Sequence, residues 1–228
     1  MGTFVKYIKS HKPYEEKLAE LFKRLDVDSV KKNAIESFLA PLRDKGPVYR
    51  FHFDHTLRVT FLCVEVAKFM HLSEKTMLYA GLLHDIGKVQ VPVETLGKTS
   101  GWTEKDTQNI RPHVMDGYRM IRGMFDFSAE IILRHHRFQS KGYPKTVPKC
   151  LHEYSLGTKM MIELYGRMLS LCDQFDAFHR INDHGGKVVV PTGESVKALM
   201  LKTNPDQKDF IEQLYEVGIF TTFTEVTK

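Results

Sequence analysis

The residues best placed to do chemistry stand in Leu82-Leu83-His84-Asp85-Ile86-Gly87-Lys88. An apolar run from Met77 to Leu83 leads into adjacent His and Asp, which offer two ligands at one point in space. Gly87 permits a sharp turn or a close backbone approach, and Lys88 adds a cation one step on. A His-Asp pair alone is a weak signal. Its weight comes from His55 upstream and from His113, His135, His136 and Asp173 downstream. Neutral imidazoles and carboxylates suit a borderline divalent metal, and no cysteine is near enough to suggest a thiolate site. Seven such ligands exceed what one transition metal with an open position needs. They suit two metals bridged by a carboxylate and a water, with Asp85 in the natural bridging place.

Long segments of 3.6-residue periodicity must position these groups. The pattern predicts helices over 14–25, 30–42, 51–71 and 74–84, the second capped by Asp28-Ser29 and the fourth by Ser73. Pro41, Gly46 and Pro47 punctuate the end of the second helix. His55 falls near the start of the third, with His52 one turn earlier, and His84-Asp85 at the end of the fourth. Residues 88–101 read as a loop. Thr103 to Asp106 forms a capping box that opens a helix to about Gly123, with His113 in its middle. A helix over 127–136 ends on His135 and His136. Neighbours on a helix point about 100° apart, so both can serve one ion only where the end frays. A polar loop over 139–148 follows, then a regular helix over 155–180 whose apolar face is interrupted by Asp173. A brief strand at 188–190 and two further helices, to about Lys202 and over 205–215, complete an all-α bundle. A soft boundary near residue 46 divides a short N-terminal helical extension, 1–46, from a catalytic domain, 47–228.

Composition sets the bounds. A chain of 228 residues with 42% apolar residues and a net charge of +5 makes one domain with a full core. Its scattered basic residues suit an anionic substrate without requiring a nucleic-acid polymer. Cys63, Cys150 and Cys172 read as buried free thiols of a reducing compartment. With no apolar leader and no spanning stretch, the expectation is a cytoplasmic protein with no membrane contact; a homo-oligomer stays open.

The bland reading of a histidine is a satisfied core or surface residue, and His11, His71, His152, His179 and His184 are left in that class. Asp173 resists it, because a buried carboxylate without a cation or hydrogen bonds costs several kcal/mol in order of magnitude.

The order His55, His84-Asp85, His113, His135-His136, Asp173 resembles the HD superfamily of metal-dependent phosphohydrolases, and more narrowly the HD-GYP family of cyclic di-GMP phosphodiesterases. The strings His55-Thr56-Leu57-Arg58, His84-Asp85-Ile86-Gly87-Lys88, Arg111-Pro112-His113, His135-His136 with Gly142-Tyr143-Pro144, and Asp173-Gln174-Phe175-Asp176-Ala177 carry the likeness over roughly residues 51–215. It implies one metal on His55, His84, Asp85 and Asp173, and a second on Asp85, His113, His135 and His136. A hydroxide between them would attack phosphorus. Asp85 and Lys88 are the catalytic pair it implies, with Lys88 on a phosphate oxygen and Gly142, Tyr143 and Pro144 bordering the substrate. Iron or manganese fits the donor set.

The chain also departs from the family pattern. Arg137 replaces a Glu after the paired histidines, and Gln139-Ser140-Lys141 replaces an Asp-Gly before Gly142. Phe51 stands where some members carry a Glu for a third metal, so two metals are expected. Arg180 to His184 replaces an Arg-Pro-Tyr segment that grips phosphate, leaving Arg180 or Lys187 to take that part. The leading expectation is therefore a two-metal phosphodiesterase for a cyclic dinucleotide, with cyclic di-GMP first. A phosphohydrolase for a mononucleotide or nucleotide polyphosphate, and a non-catalytic nucleotide-sensing module, compete with it. The filled ligand positions argue against the last.

Overall fold

The computed structural model describes residues 12–150, 152–179, 182–184, 187–189 and 192–220, with side chains over 14–150, 152–179 and 192–220. Eleven α-helices, two short 3-10 turns and a two-stranded hairpin occur among them. The all-α architecture is as the periodicity predicts.

Helix α1 (Lys12–Arg24) lays Leu18, Leu21 and Phe22 against the core, and α2 (Ser29–Asp44) adds Ile35, Leu39 and Leu42. Asp28 caps α2 by accepting from the Lys31 amide at 2.8 Å. Pro41 lies inside α2 instead of ending it. Its missing N–H costs the helix one ladder hydrogen bond, yet the helix continues and buries Leu42. Side chains of α1 and α2 belong to the same apolar core as the helices that follow.

Helix α3 (Pro47–Phe69) starts earlier than predicted, with Pro47 in the first turn, where its missing N–H costs nothing. It is buried on most sides and forms the axis of the bundle. Helix α4 (Glu74–Leu83), capped by Ser73, lies along it. Gly81 lets the two backbones close in: a Cβ there would stand 2.7 Å from the Thr60 Cα. The predicted 88–101 loop is more ordered than expected. A 3-10 turn covers Ile86–Gln90, and α5 covers Val93–Leu96.

The single helix expected through His113 is two. The capping box of Thr103 and Asp106 opens α6 (Glu104–Ile110), and α7 runs His113–Ile121. Pro112 cannot donate to the ladder, so α6 stops and His113 becomes the first residue of α7 rather than a mid-helix residue. Helix α8 (Asp126–Ile132) ends before the paired histidines, which follow in turns. Helix α9 (Leu156–Phe178) spans the body and packs on α3, α4 and α8. The strands Asn182–His184 (β1) and Lys187–Val189 (β2) pair antiparallel, Asp183 opposite Val188. Helices α10 (Gly193–Thr203) and α11 (Lys208–Glu216) close the end of α9, where Phe220 stacks on Phe175 at 4.2 Å. Cys63 and Cys172 are buried free thiols as expected; Cys150, on a loop, is only partly buried.

Candidate metal centre

Five segments deliver the candidate ligands to one buried nest. α3 carries His55, the end of α4 carries His84 and Asp85, and α7 opens on His113. The turn after α8 holds His135 and His136, and α9 holds Asp173. His55, His84, His113 and His135 are fully buried and Asp85 is 1% exposed. Neighbouring rings stand at 5.5 Å for His55 and His84, 5.3 Å for His84 and His135, and 5.2 Å for His113 and His136.

Donor atoms group into two trios, His55–His84–Asp85 and His113–His135–His136, each within 4.8 Å of one another. Asp85, a member of the first trio, also faces the second. Its Oδ2 lies 3.4 Å from the Nε2 atoms of both His55 and His84, and its Oδ1 lies 3.3 Å from His113 Nε2. Asp173 Oδ1 joins the first trio at 3.1 Å from His55 Nε2.

The outer nitrogens decide what the inner ones present. His84 Nδ1 meets the Gly81 carbonyl at 2.7 Å, His113 Nδ1 the Ile110 carbonyl at 2.6 Å, and His135 Nδ1 the Ile132 carbonyl at 2.5 Å. A carbonyl only accepts, so each Nδ1 carries the proton and each neutral ring turns an Nε2 lone pair inward. His84, His113 and His135 Nε2, and Asp85 Oδ1, are buried without a hydrogen-bond partner. The His113 lone pair thus faces a carboxylate oxygen at 3.3 Å, acceptor against acceptor. Orphan acceptors at full burial are costly, and a cation between them relieves all of them at once. The residues present fit divalent metal ions.

Electrostatics agree. Burial pushes the His135 ring down to about 3, and burial likewise takes His136 well below the usual range. Both are neutral, ligand-ready rings at pH 7. Burial opposes charge on Asp85, but the Lys88 ammonium leads the effects that outweigh it and hold the carboxyl well below its ordinary value. Burial also opposes charge on Asp173, and the His55 ring beside it leads the effects that hold its carboxyl well below the ordinary value.

Lys88 is buried, its Nζ 2.5 Å from Asp85 Oδ2. Gly87 serves close approach: a Cβ there would lie 1.9 Å from the His113 carbonyl oxygen, so only glycine lets the 3-10 turn rest on α7. Of the Gly142-Tyr143-Pro144 segment, Tyr143 borders the second trio. Tyr143 stacks on the His136 ring at 4.7 Å, and a Cβ on Gly142 would stand 2.3 Å from the Arg137 carbonyl. Arg180 lies outside the described residues, as does the side chain of Lys187. His52 turns toward the Leu96 carbonyl at 3.4 Å, while His152 pairs with Asp126 and His179 with the Phe175 carbonyl.

Sequence reasoning gave no role to Asp176 or Arg58, and both shape the site. Asp176 Oδ2 accepts from His55 Nδ1 at 2.6 Å, aiming Nε2 inward, while Arg58 grips the same carboxylate at 2.6 and 3.0 Å. Burial opposes charge on Asp176, and Arg58 then holds it strongly ionised. The signal was available in the spacing: Asp176 follows Asp173, and Arg58 follows His55, by three residues, one helical turn on the same face.

The HD domain family model matches residues 52–177, more than half of the chain. A cyclic di-GMP phosphodiesterase of Pseudomonas aeruginosa is 31% identical over 134 residues, covering 56% of this chain and 30% of the relative. A 3'3'-cGAMP-specific phosphodiesterase of Vibrio cholerae is 28% identical over 145 residues, 61% of this chain and 31% of the relative. A cyclic di-GMP phosphodiesterase of Thermotoga maritima is 30% identical over 131 residues, 54% of this chain and 33% of the relative. The chain thus matches only about a third of the length of these relatives.

Proposed function

We propose that this chain, which belongs to the HD domain family, is a metal-dependent phosphodiesterase that opens a cyclic dinucleotide. The observation that carries the reading is Asp85, one carboxylate with an oxygen toward each of two trios of donors. His55, His84, Asp85 and Asp173 would hold one divalent ion, and Asp85, His113, His135 and His136 a second. Iron or manganese suits these donors. When bound, two such ions acidify a water and neutralise charge developing on a phosphodiester.

The chain supplies the rest. Asp176 keeps the His55 ring in the tautomer that offers Nε2, with Arg58 fixing the carboxylate. The carbonyls of Gly81, Ile110 and Ile132 do the same for His84, His113 and His135. Lys88, beside Asp85, would donate to a phosphate oxygen of the substrate. The Gly142 to Pro144 turn would form the substrate-side wall. The names of the relatives support a cyclic dinucleotide as the substrate class.

The test is elemental analysis of protein loaded anaerobically with iron or manganese, followed by turnover of cyclic di-GMP and 3'3'-cGAMP with products resolved by chromatography. Two metals per chain and hydrolysis of either dinucleotide are expected. A chain that holds two metals and cleaves neither would overturn this reading in favour of another nucleotide, to be sought with a substrate panel.

A further inference from the structure

We propose that Arg111 is a substrate-binding residue of this site, a guanidinium that Tyr143 holds at the rim to take the phosphate not being cut. The inference rests on the phosphodiesterase reading and adds the residue that would favour a two-phosphate substrate over a small diester.

Other arginines set into the fold have their charge already committed within the protein. Arg50 pairs with Glu15, Arg58 with Asp176, Arg134 with Glu130 and Glu163, and Arg167 with Asp206. Arg111 is half-buried like Arg50 and Arg58, yet among the described residues no carboxylate pairs with it. Its guanidinium instead lies over the Tyr143 ring, 5.5 Å from the centroid. That ring is stacked on His136 and set edge-on to His113 at 6.2 Å. Arg111 is thus held against the second trio while all its N–H donors stay available.

Its position in the chain has the same cause. Pro112 breaks the helical run, and Arg111 sits in that break, two residues before His113. The ring face orients the planar group by cation–π attraction without using its hydrogens. A guanidinium so held is pre-organised for the bidentate contact a phosphodiester offers. Lys88 does not fill this part, since its ammonium is tied beside Asp85, where it serves the phosphate being cut. A cyclic dinucleotide carries two phosphodiesters. With one over the metal trios, the other needs a cation at the rim.

The test compares metal-loaded wild type, Arg111→Ala and Arg111→Lys on cyclic di-GMP and on bis(p-nitrophenyl) phosphate, which has a single phosphorus. Arg111→Ala should raise KM for cyclic di-GMP by roughly 10- to 100-fold, the range for losing a charge-assisted contact. It should raise KM for the small diester several-fold less, lower kcat less than it raises KM, and keep full metal content. Arg111→Lys should recover only part of the loss, since an ammonium lacks the fork. A KM for cyclic di-GMP within about twofold of wild type overturns the inference. So does an equal rise on both substrates, or loss of bound metal, which would make Arg111 a structural residue.

Failure of wild type to cleave any cyclic dinucleotide defeats the functional reading instead. Calorimetry of pyrophosphate binding to the metal-loaded proteins then decides the role of Arg111: about tenfold weaker binding in Arg111→Ala upholds an anion site, and equal binding overturns it.

Discussion

Adjacent residues of α9, Asp173 and Gln174, belong to two buried polar clusters that differ in one respect. On the Gln174 side every group is answered within the protein. Gln174 donates to Ser170 Oγ at 3.0 Å and accepts from Asn204 at 3.2 Å. Asn204 in turn accepts from Arg167 at 3.0 Å, and Arg167 grips Asp206 at 2.7 and 3.2 Å. On the Asp173 side, three imidazole nitrogens and a carboxylate oxygen of Asp85 converge without partners. The closed cluster ties α9 to the turn after α10 and lowers the energy of the fold. The open one raises that energy, and its cost makes sense if a ligand completes it. Burial and polarity alone do not distinguish a structural network from a site; the balance of donors and acceptors does.

Breaking each cluster should therefore give opposite signatures. The largest effect belongs to Asp85→Ala, which removes the oxygens facing both trios. Bound metal and turnover should fall together, turnover by more than about 100-fold, since even outer contacts to metal ligands are worth 10 to 100. Full metal content in that variant would end the bridging assignment.

Next comes Asp176→Asn, which keeps an acceptor for His55 but loses the charge. It should weaken metal binding by roughly 10- to 100-fold in a chelator competition, and unaltered affinity would separate Asp176 from the site. Metal itself sharpens the contrast. Adding manganese at about 1,000 times its dissociation constant should stabilise wild type by about 4 kcal/mol, read as a rise in Tm that Asp85→Ala does not share.

The smallest effect is Arg167→Ala. It leaves the Asn204 oxygen unanswered at full burial and should cost about 1–3 kcal/mol in denaturant unfolding. Metal stoichiometry should stay at the wild-type value; a loss of metal would mean the two clusters are coupled through α9.

The all-α character, the caps of α2, α4 and α6, and the candidate ligands could all be read from the chain. Each is a local signal: apolar spacing of 3.6 residues, a Ser, Thr or Asp ahead of a helix, an imidazole or carboxylate set in an apolar run. The break at Pro112 was also local, but the apolar period carried across it and masked it. The place of the paired histidines beyond the end of α8 followed the same course, with Ile131, Ile132 and Leu133 extending the pattern past the last helical hydrogen bonds.

The chain read linearly yields an inventory: helices of known period, a set of imidazoles and carboxylates suited to divalent metal, and a glycine at position 87. What that inventory does depends on how the helices pack. The packing set Asp85 of the first trio facing the second, turned the Nε2 lone pairs inward by tying each Nδ1 to a carbonyl or to Asp176, and rested Gly87 against the His113 carbonyl. It also left Arg111 over Tyr143 with no acid to neutralise it. The physical reason is range. Helix period and capping act within a few residues, whereas the balance of donors and acceptors in the site joins groups up to 121 positions apart, as His55 and Asp176 are. No local pattern encodes that balance.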